Sequence, residues 1–244
     1  PQDRSSAASD VYKRQRQRKQ IQEPYRAVPK DGSDQLIAQA DGSMICTVGA
    51  GKKRNAKRPR AWKEARLVCV EDPERKRRFY AASFDSVSLS GRQWGHCALR
   101  AGRGAQTPIH VVGDGAVWIE AQSKEVFGED GRFLLDFYHL SEYLAAASLS
   151  CRPKHPQGWL KTQQRRLKKG QSKKVLKELE SRLEPDSTPE EQAPVRQAHR
   201  YLNNRAGQLF YPEALAAKLP IGSGIIESGH KHVIQSRLKR PGAA

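Results

Sequence analysis

LIAQADGSMICTV (36–48), RLVCVED (66–72) and RRFYAASFD (77–85) are three short apolar or alternating runs separated by polar breaks. Runs of this kind read as strands, and three in succession predict a meander. Working outward toward the C-terminus, residues 88 to 101 read as a helix and PIHVVGDGA (108–116) as a compact β-rich run. WIEAQSKEVF (118–127) reads as a helix and GRFLLDFYH (131–139) as a further strand. From Leu140 to about Leu219 no strand pattern recurs, and the Lys-, Glu-, Leu- and Gln-rich composition favours helix. The element order is therefore βββαβαβ followed by helices, an α/β fold. Within the helical region LEPDSTPEEQAP (183–194) reads as a loop, with Ser187 or Thr188 capping a helix that begins near Pro189. After GSG (222–224), Ile225, Ile226, Val233, Ile234 and Leu238 approximate helical spacing, which puts Glu227 in the first turn of an amphipathic helix.

Working outward in the other direction, residues 16–35 are charged and without periodicity, as in a linker or the remnant of an upstream domain. PQDRSSAASDVYKRQ (1–15) resembles translated adapter sequence and carries no fold expectation. Residues 36–244 read as one catalytic domain with a helical insertion at about 140–220, and RLKRPGAA (237–244) stops without the capping that closes a domain.

Lys and Arg outnumber Asp and Glu by 44 to 26, a formal charge of +18, so the expected partner is a polyanion and first of all nucleic acid. No run of 18 apolar residues and no secretory pattern is present, which argues against membrane attachment and for a cytoplasmic, nucleoid-associated protein. Cys46, Cys69, Cys97 and Cys151 lie far apart with no CxxC pair, so they read as reduced thiols and neither as a zinc ribbon nor as a disulfide framework.

Three acids occupy unusual settings: Asp41 inside an apolar strand run, Asp114 at the end of VVG, and Glu227 just after GSG. Asp41 and Asp114 are each followed by glycine, which permits close approach and is expected to end the strand. Taken singly, each has an ordinary reading. Asp-Gly is the commonest hairpin turn signal, and a first-turn glutamate is favoured by the helix dipole or pairs with Lys231 one turn on. Taken together, three clustered carboxylates repel one another unless cations stabilise them, and hard oxygen donors suit magnesium.

ADGSMICTV (40–48), AWKEARLVCV (61–70), VVGDGAVWI (111–119), DFYHLSEYL (136–144) and LPIGSGIIESGHKHVIQSRLKRPG (219–242) together resemble a bacterial insertion-sequence DDE transposase. The likeness is to the branch related to mutator-like elements, which carries a Cys- or Asp-x-x-His motif between the second acid and the final glutamate. The resemblance implies an RNase H-like mixed sheet with flanking helices and an all-helical insertion. It implies catalytic, metal-holding acids at Asp41, Asp114 and Glu227, with two Mg2+ or Mn2+ ions. It further implies hydrolysis at transposon ends followed by strand transfer into double-stranded target DNA, by a homo-oligomer. The Asp-x-x-His motif falls on Asp136 and His139, expected at a strand end, where they support a ligand or contact DNA. The same fold also serves nucleases and resolvases that never join strands, and a degenerate fragment would bind DNA without turnover.

GKKRNAKRPR (51–60), with Lys52, Lys53 and Arg54, is expected to grip phosphates beside Asp41. The basic run Lys161–Lys174 and Lys231, Arg237 and Lys239 after Glu227 are expected to add to that surface. Trp62 and Trp118 suit base stacking, although core packing is the commoner use of such residues. GAGKK (49–53) lacks the first glycine and the Ser or Thr of a phosphate-binding loop, and GSGIIE (222–227) follows no strand and is not a dinucleotide turn.

Overall fold

The computed structural model of the chain describes residues 28–48 and 60–236. Strands β1 (Leu36–Val48), β2 (Arg60–Asp72) and β3 (Arg77–Ser83) form the expected antiparallel meander. Helix α1 (Val87–Ala101) leads to β4 (Ile109–Gly113), and α2 (Val117–Phe127) leads to β5 (Gly131–Leu135). β4 lies parallel to β1, and β5 lies parallel to β4. The five strands make one mixed sheet in the order β3-β2-β1-β4-β5. The α/β architecture read from the sequence is thus present, with helices on both faces.

Alternation along β1 sorts its side chains between two cores. Leu36, Ala38 and Ala40 face α1 and α2 and pack with Trp94, Cys97, Ile119 and Phe127. Trp94 is fully buried, and its indole N–H donates to the Cys69 carbonyl at 3.1 Å. On the other face Ile45, Leu67 and Cys69 pack against Ile226 and Ile234 of the C-terminal segment. That segment is helix α8 (Gly224–Gly229), which widens into a π-helical turn over His230–Gln235.

Helices α3 (Phe137–Cys151), α4 (Pro156–Lys168), α5 (Ser172–Glu180), α6 (Pro194–Asn203) and α7 (Tyr211–Ala216) fill the region read as helical. They share a separate core of Leu140, Leu144, Val175, Leu179, Val195 and Leu202, continuous with Leu134 and Leu135 of β5.

Four local expectations are corrected. β1 does not end at Gly42 but runs on to Val48; Gly42 pairs with Arg66, and the Glu64 carboxylate occupies the space a Cβ would need. β5 stops at Leu135, because the Asp136 carboxylate accepts the amide hydrogens of Tyr138 and His139 and so starts α3. Neither Ser187 nor Thr188 caps a helix at Pro189. A 3-10 turn spans Glu190–Gln192, and α6 is capped by Glu184, whose two oxygens accept from the amides of Val195 and Arg196. Trp62 is not core but 67% exposed, whereas Trp118 is partly buried against the α1–α2 core, with the Arg66 guanidinium 5.7 Å from its ring.

All four cysteines are unpaired, and burial pushes the Cys69 and Cys97 thiols up to about 12. No helix among the described residues is long and apolar enough to cross a membrane.

Candidate functional site

Gln39 and Asp41 lie two residues apart on β1 and share the face that α8 covers. The ladder between β1 and β4 closes with Gln39 opposite Val112, and two residues further along stand Asp41 and Asp114. The ladder between β4 and β5 closes with Gly113 opposite Leu135, and one residue further stand Asp114 and Asp136. The Asp136 amide donates to the Gly113 carbonyl at 2.8 Å, which carries that register onward. A row of three aspartates therefore crosses the sheet at the carboxyl ends of β4 and β5, the edge where open α/β sheets bind ligands.

The half-buried Asp41 accepts the Gly42 amide hydrogen on Oδ1 at 2.7 Å. Burial pushes its carboxyl above the ordinary carboxylate range; the carboxylates of Asp114 and Glu227 push the same way, against the pull of the His230 imidazole and the Gly42 amide. Asp114 Oδ1 accepts from the Ala116 amide at 2.9 Å, a turn that carries the chain off β4 toward α2. Its carbonyl accepts the Tyr201 hydroxyl hydrogen, and the next carbonyl, that of Gly115, accepts from Arg205 at 2.7 Å. Gly115 has φ +80°, and a Cβ there would fall 2.2 Å from Arg205 Nε.

Glu227 is exposed on α8, where Oε1 accepts from the Ser223 hydroxyl at 3.1 Å. The turn before it is held from two sides. Gln39 donates to the Gly222 carbonyl at 3.2 Å and accepts the Ile226 amide hydrogen at 3.0 Å. Asp136, 1% exposed, accepts the Ser223 amide hydrogen on Oδ2 at 2.6 Å, and the Phe137 amide donates to the Ile221 carbonyl at 2.9 Å. His139 is partly exposed, with Nδ1 3.4 Å from Glu142 and its ring edge-on to Tyr143 and Tyr201.

Sequence reasoning missed Gln39 and His230. His230 is 2% exposed, and Nε2 lies 3.1 Å from the Asp41 carbonyl oxygen and 3.4 Å from Asp41 Oδ2. The available signal was spacing: ESGH puts His230 three residues beyond Glu227, and Gln39 precedes Asp41 by two within an otherwise apolar run.

Among the described residues no three His, Cys, Asp or Glu side chains are close enough to hold one metal ion as they stand. The donor chemistry nevertheless fits a hard divalent cation, since Asp41, Asp114 and Glu227 all offer carboxylate oxygens. Lys231 is exposed, four residues beyond Glu227. Lys161, Arg165, Lys168, Lys169, Lys173 and Lys174 are exposed along α4 and the start of α5. Lys52, Lys53, Arg54, Arg237 and Lys239 lie outside the described residues.

A sequence model of the family described as Uncharacterised protein family (UPF0236) matches residues 103–241. That match takes in Asp114, Asp136, His139 and Glu227, but not Asp41. Three members of that family from Caldanaerobacter subterraneus subsp. tengcongensis are 31% identical to this chain over 135 residues. The aligned part is 54% of this chain and about a quarter of each relative, 26%, 25% and 25% respectively. No solved structure matches.

Proposed function

The chain belongs to the uncharacterised protein family UPF0236, and we propose that it is the catalytic region of a DDE transposase, cutting and joining DNA strands at transposon ends. The observation that carries this reading is the placement of Asp41 on β1 and of Asp114 just past the end of the neighbouring parallel strand β4, with the helix of Glu227 tied to β1 through Gln39 and His230. Asp41, Asp114 and Glu227 would hold Mg2+ or Mn2+. Bound there, the metal supplies Lewis-acid stabilisation of the charge that builds on phosphate oxygens.

The rest follows from the chain's own residues. Gln39 and Asp136 fix the GSG turn that presents Glu227, and His230 fixes the same helix to β1 at Asp41. The +18 charge and the exposed cations of α4 and α5 suit a DNA backbone, each neutralised phosphate steepening the salt dependence of binding by about 0.9 in log-log slope. The strand order and directions are compatible with the RNase H-like sheet implied by the sequence resemblance. Several family members occur within one bacterial strain, as mobile elements do.

The test is a strand-cleavage and strand-transfer assay on the full-length protein with the terminal sequences of its own element and Mg2+ or Mn2+. Cleaved and joined products from the wild type, and neither from Asp114→Asn or Glu227→Gln at equal DNA affinity, are expected. Cleavage without joining would assign a nuclease instead. DNA binding with no product would leave a DNA-binding protein and remove the enzyme.

A further inference from the structure

We propose that Asp136 and His139 are positioning residues that fix the two turns carrying Glu227 and Asp114, the first through Ser223 and the second through Tyr201. The inference rests on the reading of those two acids as the working carboxylates. It gives the Asp-x-x-His spacing a physical reason that involves no contact with substrate.

Asp136 has a carboxylate with two separate tasks. Oδ1 accepts the amides of Tyr138 and His139 at 2.6 and 3.0 Å and so caps α3; Oδ2 accepts the amide of Ser223 at 2.6 Å, across 87 residues of chain. A helix cap needs only one oxygen, and Ser, Thr or Asn supplies it as well as Asp does. The second oxygen is what binds the GSG turn. The neighbouring Phe137 amide donates to the Ile221 carbonyl, and the Tyr138 ring lies where any Cβ at Gly222 would be. Four residues on from Ser223 is Glu227, whose Oε1 accepts from the Ser223 hydroxyl. The position of Glu227 is therefore referred back to Asp136.

His139 is one turn into the same helix and faces the helical region. Its ring meets Tyr201 edge-on with centroids 5.8 Å apart, and Tyr143 edge-on at 5.6 Å. Tyr143 and Tyr201 stack at 4.1 Å, and the Arg205 guanidinium covers Tyr201 at 4.1 Å. Tyr201 is thus packed by three neighbours, and its hydroxyl donates to the Asp114 carbonyl while Arg205 donates to that of Gly115. Asp136 caps α3 and His139 lies in its first turn, so one end of a single helix holds both acid-bearing turns. A preorganised arrangement of this kind matters because a misplacement of about 1 Å costs roughly a hundredfold in rate.

The experiment is amide hydrogen exchange on the full-length protein, read beside cleavage kinetics, for Asp136→Ser, His139→Ala and Tyr201→Phe. Asp136→Ser keeps the α3 cap and loses the reach to Ser223; exchange is expected to quicken at least tenfold over 222–227 while β1 and β4 keep their protection. Tyr201→Phe removes one hydroxyl, and it and His139→Ala are expected to quicken exchange over 114–117 only. In all three, kcat should fall about a hundredfold with KM for DNA unchanged. Should Asp136→Ser fail to fold, Asp136→Asn, which preserves volume and one acceptor, is read the same way. Exchange unchanged at both turns, or quickened uniformly across the sheet, overturns the inference. Exchange reads the clamp whether or not DNA is turned over. Locally quickened exchange in a protein that cleaves nothing therefore supports the clamp and overturns the proposed function.

Discussion

Nε2 of His230 lies 3.1 Å from the carbonyl oxygen of Asp41 and 3.4 Å from Oδ2 of the same residue, so one ring nitrogen ties the helix of Glu227 to the strand of Asp41. Two acceptors face Nε2, which places the ring hydrogen there, and Nδ1 is buried without a partner among the described residues. His230→Ala is expected to lower stability by roughly 2–3 kcal/mol, from lost packing and released acceptors. It should lower cleavage without weakening DNA binding. Urea unfolding with a parallel DNA titration checks both; unaltered stability would mean that the contact holds nothing.

Two glycines separate a crowded position from an open one. Gly115 has φ +80° and Arg205 Nε stands 2.2 Å from its ideal Cβ, so Gly115→Ala should cost at least about 1 kcal/mol and displace Arg205 from the Asp114 turn. Gly158 in α4 has nothing within 4 Å of such a Cβ among the described residues. Gly158→Ala should therefore stabilise by about 0.5–1 kcal/mol through helix propensity. Thermal melting of the two variants should shift in opposite directions.

Trp94 is expected to matter through its nitrogen as well as its volume. Trp94→Phe leaves the buried Cys69 carbonyl without its donor and opens a small void, for a loss of about 2–3 kcal/mol. The denaturant midpoint should fall with an unchanged slope. A change of less than about 0.5 kcal/mol would contradict the assigned hydrogen bond.

His110 gives the fold a pH dependence of known sign. Burial pushes its pKa below the ordinary 6.5, with Arg132 adding to the shift and the bond to the Pro220 carbonyl opposing it. The unfolded chain therefore binds this proton more readily than the folded one. Stability attributable to His110 is complete above 6.5 and is lost as the pH falls from there through the lower folded value. Comparing stability at neutral and mildly acidic pH should show a shallower decline in His110→Gln than in the wild type; equal declines would exclude His110 as the source.

The sheet was legible because its apolar runs are separated by polar breaks: 36–48, 66–72 and 77–85 announce a meander without reference to anything distant, although β2 begins earlier, at Arg60, in a polar and exposed stretch. The strand end at Gly42 was misread because a glycine's usual effect depends on what fills its missing side chain, and Glu64 comes from the next strand. The cap of α6 was misread for a similar reason, since Glu184 reaches forward past the 3-10 turn to the first turn of the helix. At the candidate site the three acids stood out as charges in apolar settings. Gln39 and His230 did not, because a glutamine in a strand and a histidine in a helix look ordinary until the segments 36–48 and 219–236 are brought together.

The most direct test of the central claim is Mn2+ binding, followed by electron paramagnetic resonance, to the full-length protein and to Asp41→Asn, Asp114→Asn and Glu227→Gln. The wild type is expected to bind Mn2+ and each single change to weaken that binding tenfold or more, about 1.4 kcal/mol, without altering thermal stability enough to explain it. Equal binding by all four proteins would contradict a shared metal site at these carboxylates, and with it the proposed chemistry.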